Sequence, residues 1–98
     1  EHDELAQSIL VLNSSALSNR VEKCIEEQLE TLPRAAIARA SWERFGGIIL
    51  VRDLSEAPEI VNMAAPEHLQ LAVAEPSRIE PHIRHAGAIF MGHYTPEA

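Results

Sequence analysis

Ninety-eight residues leave room for one domain, and 46% hydrophobic with 23% charged residues excludes a disordered tail. Fifteen acidic against eight basic residues give a formal net charge of -7, so the basic surface that meets phosphates is missing and no nucleic-acid partner is expected. No apolar run approaches the roughly 18 residues of a membrane span, so no membrane partner is expected either.

The chain opens on Glu1-His2-Asp3 with no initiating methionine and no signal-peptide pattern, and it closes on the turn-rich Tyr94-Thr95-Pro96-Glu97-Ala98. Both ends read as cuts within a longer chain. Ser8 to Leu12 is a compact apolar run that suits a strand buried on both faces. Asn13, Ser14 and Ser15 then suit a helix N-cap. Leu17, Val21, Cys24, Ile25, Gln28, Leu29 and Leu32 follow at helical spacing, with Glu22, Lys23, Glu26, Glu27 and Glu30 on the opposite, solvated face. Cys24, the one cysteine, is placed on the apolar face as a small buried hydrophobe. A lone cysteine forms no internal disulfide and fits a reducing, cytoplasmic setting.

Pro33 ends or kinks this first helix, and Ala35 to Trp42 reads as a second, packed by Trp42 and Phe45. Gly46-Gly47 turns the chain into a second strand over Ile48 to Val51. A third helix starts near Ser55. Ser55 as its cap puts Pro58 in the first turn, whereas Asp53 as cap would leave Pro58 deep enough to break a helical bond. Leu69, Leu71 and Val73 alternate with Gln70 and Ala72 as a third strand. Glu75-Pro76 opens a short helix, kinked at Pro81 and ended at Gly87, before a fourth strand over Ala88 to Met91. Strands separated by helices predict an α/β fold: a small parallel sheet with helical crossovers, an incomplete Rossmann-like domain over residues 1–98. The glycine fingerprint of a dinucleotide site is absent, so the chain is not expected to bind a dinucleotide by itself.

The chemistry concentrates in Ala65-Pro66-Glu67-His68-Leu69, where a carboxylate and an imidazole sit between a helix and a strand. Glu is a candidate base, and His an acid or base near neutral pH. Neighbours on a regular strand point to opposite faces, so both serve one site only if Pro66 makes the stretch irregular. The bland reading is an exposed Glu beside a structural His. His2 is a candidate metal ligand that Asp3 would orient, and it also precedes a strand, so His2, Glu67 and His68 are expected on one rim of the sheet. His82 and His85, three apart, and His93 with Tyr94 are weaker candidates, with surface groups and a polar loop as their ordinary readings.

Several segments together resemble histidinol dehydrogenase: Glu1-His2-Asp3, Leu5-Ala6-Gln7-Ser8, Gln28-Leu29, Leu32-Pro33-Arg34-Ala35, Ala65-Pro66-Glu67-His68-Leu69, Ala86-Gly87-Ala88-Ile89-Phe90 and Tyr94-Thr95-Pro96-Glu97. The order and spacing match from end to end, so the chain resembles an internal piece of that longer enzyme. The resemblance implies two successive hydride transfers from L-histidinol to NAD, through an aldehyde, giving L-histidine, in a zinc-containing homodimer of histidine biosynthesis. It implies that Glu67 is the catalytic glutamate activating water in the second oxidation. It makes His68 the catalytic acid/base of the alcohol step and a substrate contact, and His2 a zinc ligand and substrate contact. It also places the remaining zinc ligands and most NAD contacts outside these residues, so the isolated piece is expected to be inactive and to need the remaining domains of the same enzyme. The competing reading is a non-catalytic α/β interaction or regulatory module.

Overall fold

A computed structural model describes residues 3–94. The chain divides into two compact units, Glu1–Arg52 and Asp53–Ala98. Each is built around a pair of parallel strands joined by helices.

In the first unit, β1 (Ile9–Leu12) leads to α1 (Ser15–Leu29), α2 (Ala35–Phe45) and β2 (Gly47–Leu50). β1 and β2 pair in parallel from Ile9 opposite Gly47 to Leu12 opposite Leu50. Parallel pairing demands a crossover, and α1 with α2 provides it. Ser14 caps α1 in extended backbone, its hydroxyl accepting the Leu17 amide at 3.2 Å. The helix stops at Leu29, and the Gln28 carbonyl takes the amides of Thr31 and Leu32 before Pro33 forbids continuation. Arg39 on α2 reaches Glu26 on α1 at 3.5 Å and Glu43 at 3.6 Å, a surface link worth little in high dielectric. Leu12, Leu29 and Ala38 form the buried apolar centre of this unit.

Two expectations are corrected here. Cys24 is exposed. The apolar stripe of α1 is narrow, with Val21, Ile25 and Leu29 turned inward and Cys24 on its flank. Nor is β1 buried on both faces: Ile9 is 40% exposed, and only Leu12 is fully enclosed.

The second unit begins with a 3-10 turn over Leu54–Glu56 that runs into α3 (Ala57–Ala64). β3 (His68–Leu71), α4 (Pro76–Ile79), a second 3-10 turn over Glu80–His82 and β4 (Ala88–Met91) follow. β3 and β4 are parallel, from His68 opposite Ala88 to Leu71 opposite Met91. The start of α3 corrects the Ser55 cap. Asp53 caps the 3-10 turn that leads into α3: its carboxylate accepts the Ser55 amide at 2.8 Å, and Glu56 reaches back to the Asp53 amide at 3.0 Å. The 3-10 turn resets the bonding register before Ala57, so Pro58 still falls in the first turn of α3 and costs no bond. Ala57, Pro58, Val61 and Leu71 are buried in this unit.

Among the described residues the four strands therefore form two two-stranded sheets rather than the single sheet expected, both paired in parallel. Within the described residues no helix is long and apolar enough to cross a membrane.

Candidate functional site

The backbone around Glu67 and His68 is set by what comes before it. α3 ends at Ala65, which has φ 47° and ψ 59°, the only non-glycine residue among those described to take a left-handed conformation. A side chain in that region costs roughly 1–2 kcal/mol, a strain more often held near functional positions than elsewhere. Pro66 follows, with φ fixed by its ring and no amide to donate. The chain then meets the start of β4. The Pro66 carbonyl accepts the Gly87 amide at 2.9 Å, and the Glu67 carbonyl accepts the Ala88 amide at 2.7 Å. Two successive carbonyls thus serve two successive amides. A regular parallel ladder uses alternate residues, so the pairing is irregular where the chain enters β3.

Glu67 and His68 are both exposed at this entry. The His68 ring meets the ring of Phe90 edge-on, with centroids 5.7 Å apart and planes at 76°. A carboxylate and an imidazole in this position offer a proton acceptor and a proton carrier to whatever lies against the amino end of β3.

At the other end of the pair, Gln70 Nε2 on β3 donates to the Gly92 carbonyl at 3.1 Å and reaches that of His93 at 3.5 Å. His93 and Tyr94 lie with ring centroids 6.4 Å apart, and Tyr94 is almost fully exposed. His82 ends the second 3-10 turn, and His85 lies on the loop between that turn and β4. That loop is clipped by Asn62, whose Oδ1 accepts the amides of Arg84 at 2.7 Å and His85 at 3.2 Å while its Nδ2 donates to the His82 carbonyl at 3.1 Å. Asn62 and Gln70 carry no sequence signal beyond their polarity, and neither was singled out in advance.

An open groove of about 970 Å³ lies in this unit, lined by Asp53, Asn62, Val73, Arg78 and His82 among others. It lies past the carboxyl end of β3, and neither Glu67 nor His68 lines it, so the groove and the carboxylate–imidazole pair are separate features.

His2 lies outside the described residues. Asp3, next to it, is turned back into its own loop: its carboxylate accepts the Leu5 amide at 2.8 Å and its carbonyl the Ala6 amide at 3.0 Å. Downstream, Ser41 Oγ donates to the Ala6 carbonyl at 2.6 Å and Gln7 Nε2 to the Phe45 carbonyl at 2.9 Å, tying the segment before β1 to α2. Trp42 packs as expected, its ring lying where a Cβ on Gly46 would stand 2.1 Å away. Among the described residues no three His, Cys, Asp or Glu side chains gather closely enough to hold a metal ion.

Comparison with known proteins decides what this arrangement belongs to. The family model described as histidinol dehydrogenase matches residues 1–98.

The chain belongs to the histidinol dehydrogenase family.

It is 57% identical over 98 residues to the histidinol dehydrogenase of Syntrophotalea carbinolica, and the match covers 100% of this chain and 23% of that protein. It is 55% identical to that of Gluconobacter oxydans, with the same coverage. The crystal structure of histidinol dehydrogenase from Elizabethkingia anophelis superposes with a TM-score of 0.90 at 29% identity, over 98% of this chain and 22% of that one. The chain thus spans about a quarter of the length of its histidinol dehydrogenase relatives.

Proposed function

We propose that these residues are an incomplete Rossmann-like part of a histidinol dehydrogenase, which oxidises L-histidinol to L-histidine through the aldehyde in histidine biosynthesis. The observation that carries the reading is the exposed Glu67–His68 pair at the irregular entry of β3, in a chain matched by that family from end to end.

The two residues divide the proton chemistry. In the first oxidation the alcohol loses its hydroxyl proton as a hydride leaves its carbon, and His68 takes that proton. An imidazole suits this step because its ordinary pKa lies near neutrality. In the second oxidation water adds to the aldehyde carbon, and Glu67 takes the proton that water gives up. The hydrated carbon then loses its own hydride, and the acid so formed releases its remaining proton to water to give the carboxylate. Adjacency in the backbone lets one rim serve both steps without a change of site.

The described residues fit neither NAD nor zinc by themselves, having no glycine fingerprint and no metal-holding cluster. In a complete enzyme NAD would supply the hydride acceptor, and zinc would supply a template for the substrate's nitrogen atoms. This chain's contribution to the metal is His2, which also contacts substrate, as His68 does. The remaining ligands would come from the stretches that flank these residues in the longer chain and, across a homodimer, from a distant part of it. A cytoplasmic setting accords with the lone, exposed Cys24.

The test is stoichiometric. The complete enzyme, given L-histidinol and NAD, should form two NADH per histidinol with histidine as the product. Absence of histidinol-dependent NADH would leave the non-catalytic interaction module as the better reading.

A further inference from the structure

We infer that β4 and the residue just before it carry the positioning residues of the candidate catalytic pair: Gly87 fixes where the Glu67 peptide lies, and Phe90 fixes the ring of His68. The inference rests on the roles given above to Glu67 and His68.

Gly87 is needed for space. A Cβ built there would stand 2.5 Å from the Glu67 carbonyl oxygen and 3.2 Å from the Glu67 carbonyl carbon and Cα. All three are backbone atoms, so no side chain can swing away to make room. Only with hydrogen at this position can Gly87 donate to Pro66 at 2.9 Å while Ala88 donates to Glu67 at 2.7 Å. Those two bonds make the entry to β3 irregular, and they set the direction from which the Glu67 carboxylate leaves the backbone. Gly47, at the start of β2, is the built-in contrast, since a Cβ there meets nothing within 4 Å.

Phe90 acts on the other half of the pair. His68 stands opposite Ala88 in the strand register, and Phe90 lies two residues further along β4, on the same face. Its edge-on contact at 5.7 Å limits the rotation of an imidazole that is otherwise exposed. Gly87 and the strand that follows it thereby hold the carboxylate through the backbone and the imidazole through a ring.

The experiment uses the complete enzyme with the variants Gly87→Ala, Phe90→Leu, Phe90→Tyr and, as a control, Gly47→Ala. Each is assayed separately on the alcohol and on the aldehyde. Misplacing a reacting group by about 1 Å can cost on the order of 100-fold. Gly87→Ala should therefore lower kcat for the aldehyde by about 10- to 100-fold, and for the alcohol by less, with KM changed little. Phe90→Leu should lower kcat mainly for the alcohol, Phe90→Tyr should restore it, and Gly47→Ala should behave as wild type. Unchanged kcat, or equal loss in both halves, would overturn the inference. If Gly87→Ala does not fold, the two Phe90 variants decide by the same criterion. If the wild-type enzyme does not oxidise histidinol, the functional reading fails, and the ring-proton resonances of His68 still decide the positioning claim. They should move in Phe90→Leu and return in Phe90→Tyr, and unmoved resonances would overturn it.

Discussion

Ser41, only 6% exposed, donates its hydroxyl proton to the Ala6 carbonyl at 2.6 Å. It is the one buried polar side chain among the described residues, and its bond ties α2 to the segment that leads back to His2. Removing the hydroxyl leaves a carbonyl short of its partner in a part-buried place, which costs about 1–3 kcal/mol. Ser41→Ala should lower the unfolding free energy of the complete enzyme by that amount, measured in denaturant. A shift within error would show that water satisfies Ala6 equally well.

Asn62 is expected to govern the loop ahead of β4. It accepts two amides and donates once, all within residues 82–85. In Asn62→Ala, amide exchange at Arg84 and His85 should speed up by about 5-fold or more, the factor set by a net bond of ~1 kcal/mol. Asn62→Asp keeps both acceptor contacts and should retain protection of those two amides. Equal exchange in all three proteins would refute this role.

Asp53 supplies the pH dependence. The Ser55 amide, and then the Ser55 hydroxyl, hold its carboxyl below the ordinary aspartate value. The folded value is lower than the unfolded one, so the ionised cap stabilises the fold above the unfolded pKa. That contribution is lost as pH falls through the lowered folded value. The stability difference between wild type and Asp53→Asn should stay constant from neutral pH down to about 4 and shrink below it. Denaturant midpoints across that range check this, and a constant difference throughout would contradict it.

Ala65 holds left-handed backbone where α3 ends. Glycine takes that conformation without the steric cost, so Ala65→Gly should raise the unfolding free energy by about 1 kcal/mol. Thermal melting is sufficient to see it, and a lowered midpoint would mean that the Ala65 methyl group packs better than it strains.

How much of this was legible in the sequence depends on the scale of the feature. β4 was read with its observed bounds, because an apolar run bounded by Gly87 leaves little choice. Side-chain chemistry points to a cap among Asn13, Ser14 and Ser15, and the backbone selects Ser14. Cys24 was misplaced because helical spacing gives the direction of a stripe but not its width, and a two-stranded sheet covers only a narrow one. The Asp53 cap was missed because the argument from Pro58 assumed α-helical bonding from the first residue, and a 3-10 turn changes that register. Glu67 and His68 stood out as residue types. The irregular pairing beneath them depends on a backbone contact with Gly87, some twenty residues away, which no local pattern encodes.

The most direct measurement is the partial-reaction profile of Glu67→Gln in the complete enzyme, with histidinol and the aldehyde supplied separately. Removing the proposed base for water should depress aldehyde oxidation far more than alcohol oxidation, a fall of about 100-fold or more lying within the range of general-base catalysis. Equal loss in both halves, or full activity on the aldehyde, would contradict the role assigned to Glu67 and the division of labour with His68.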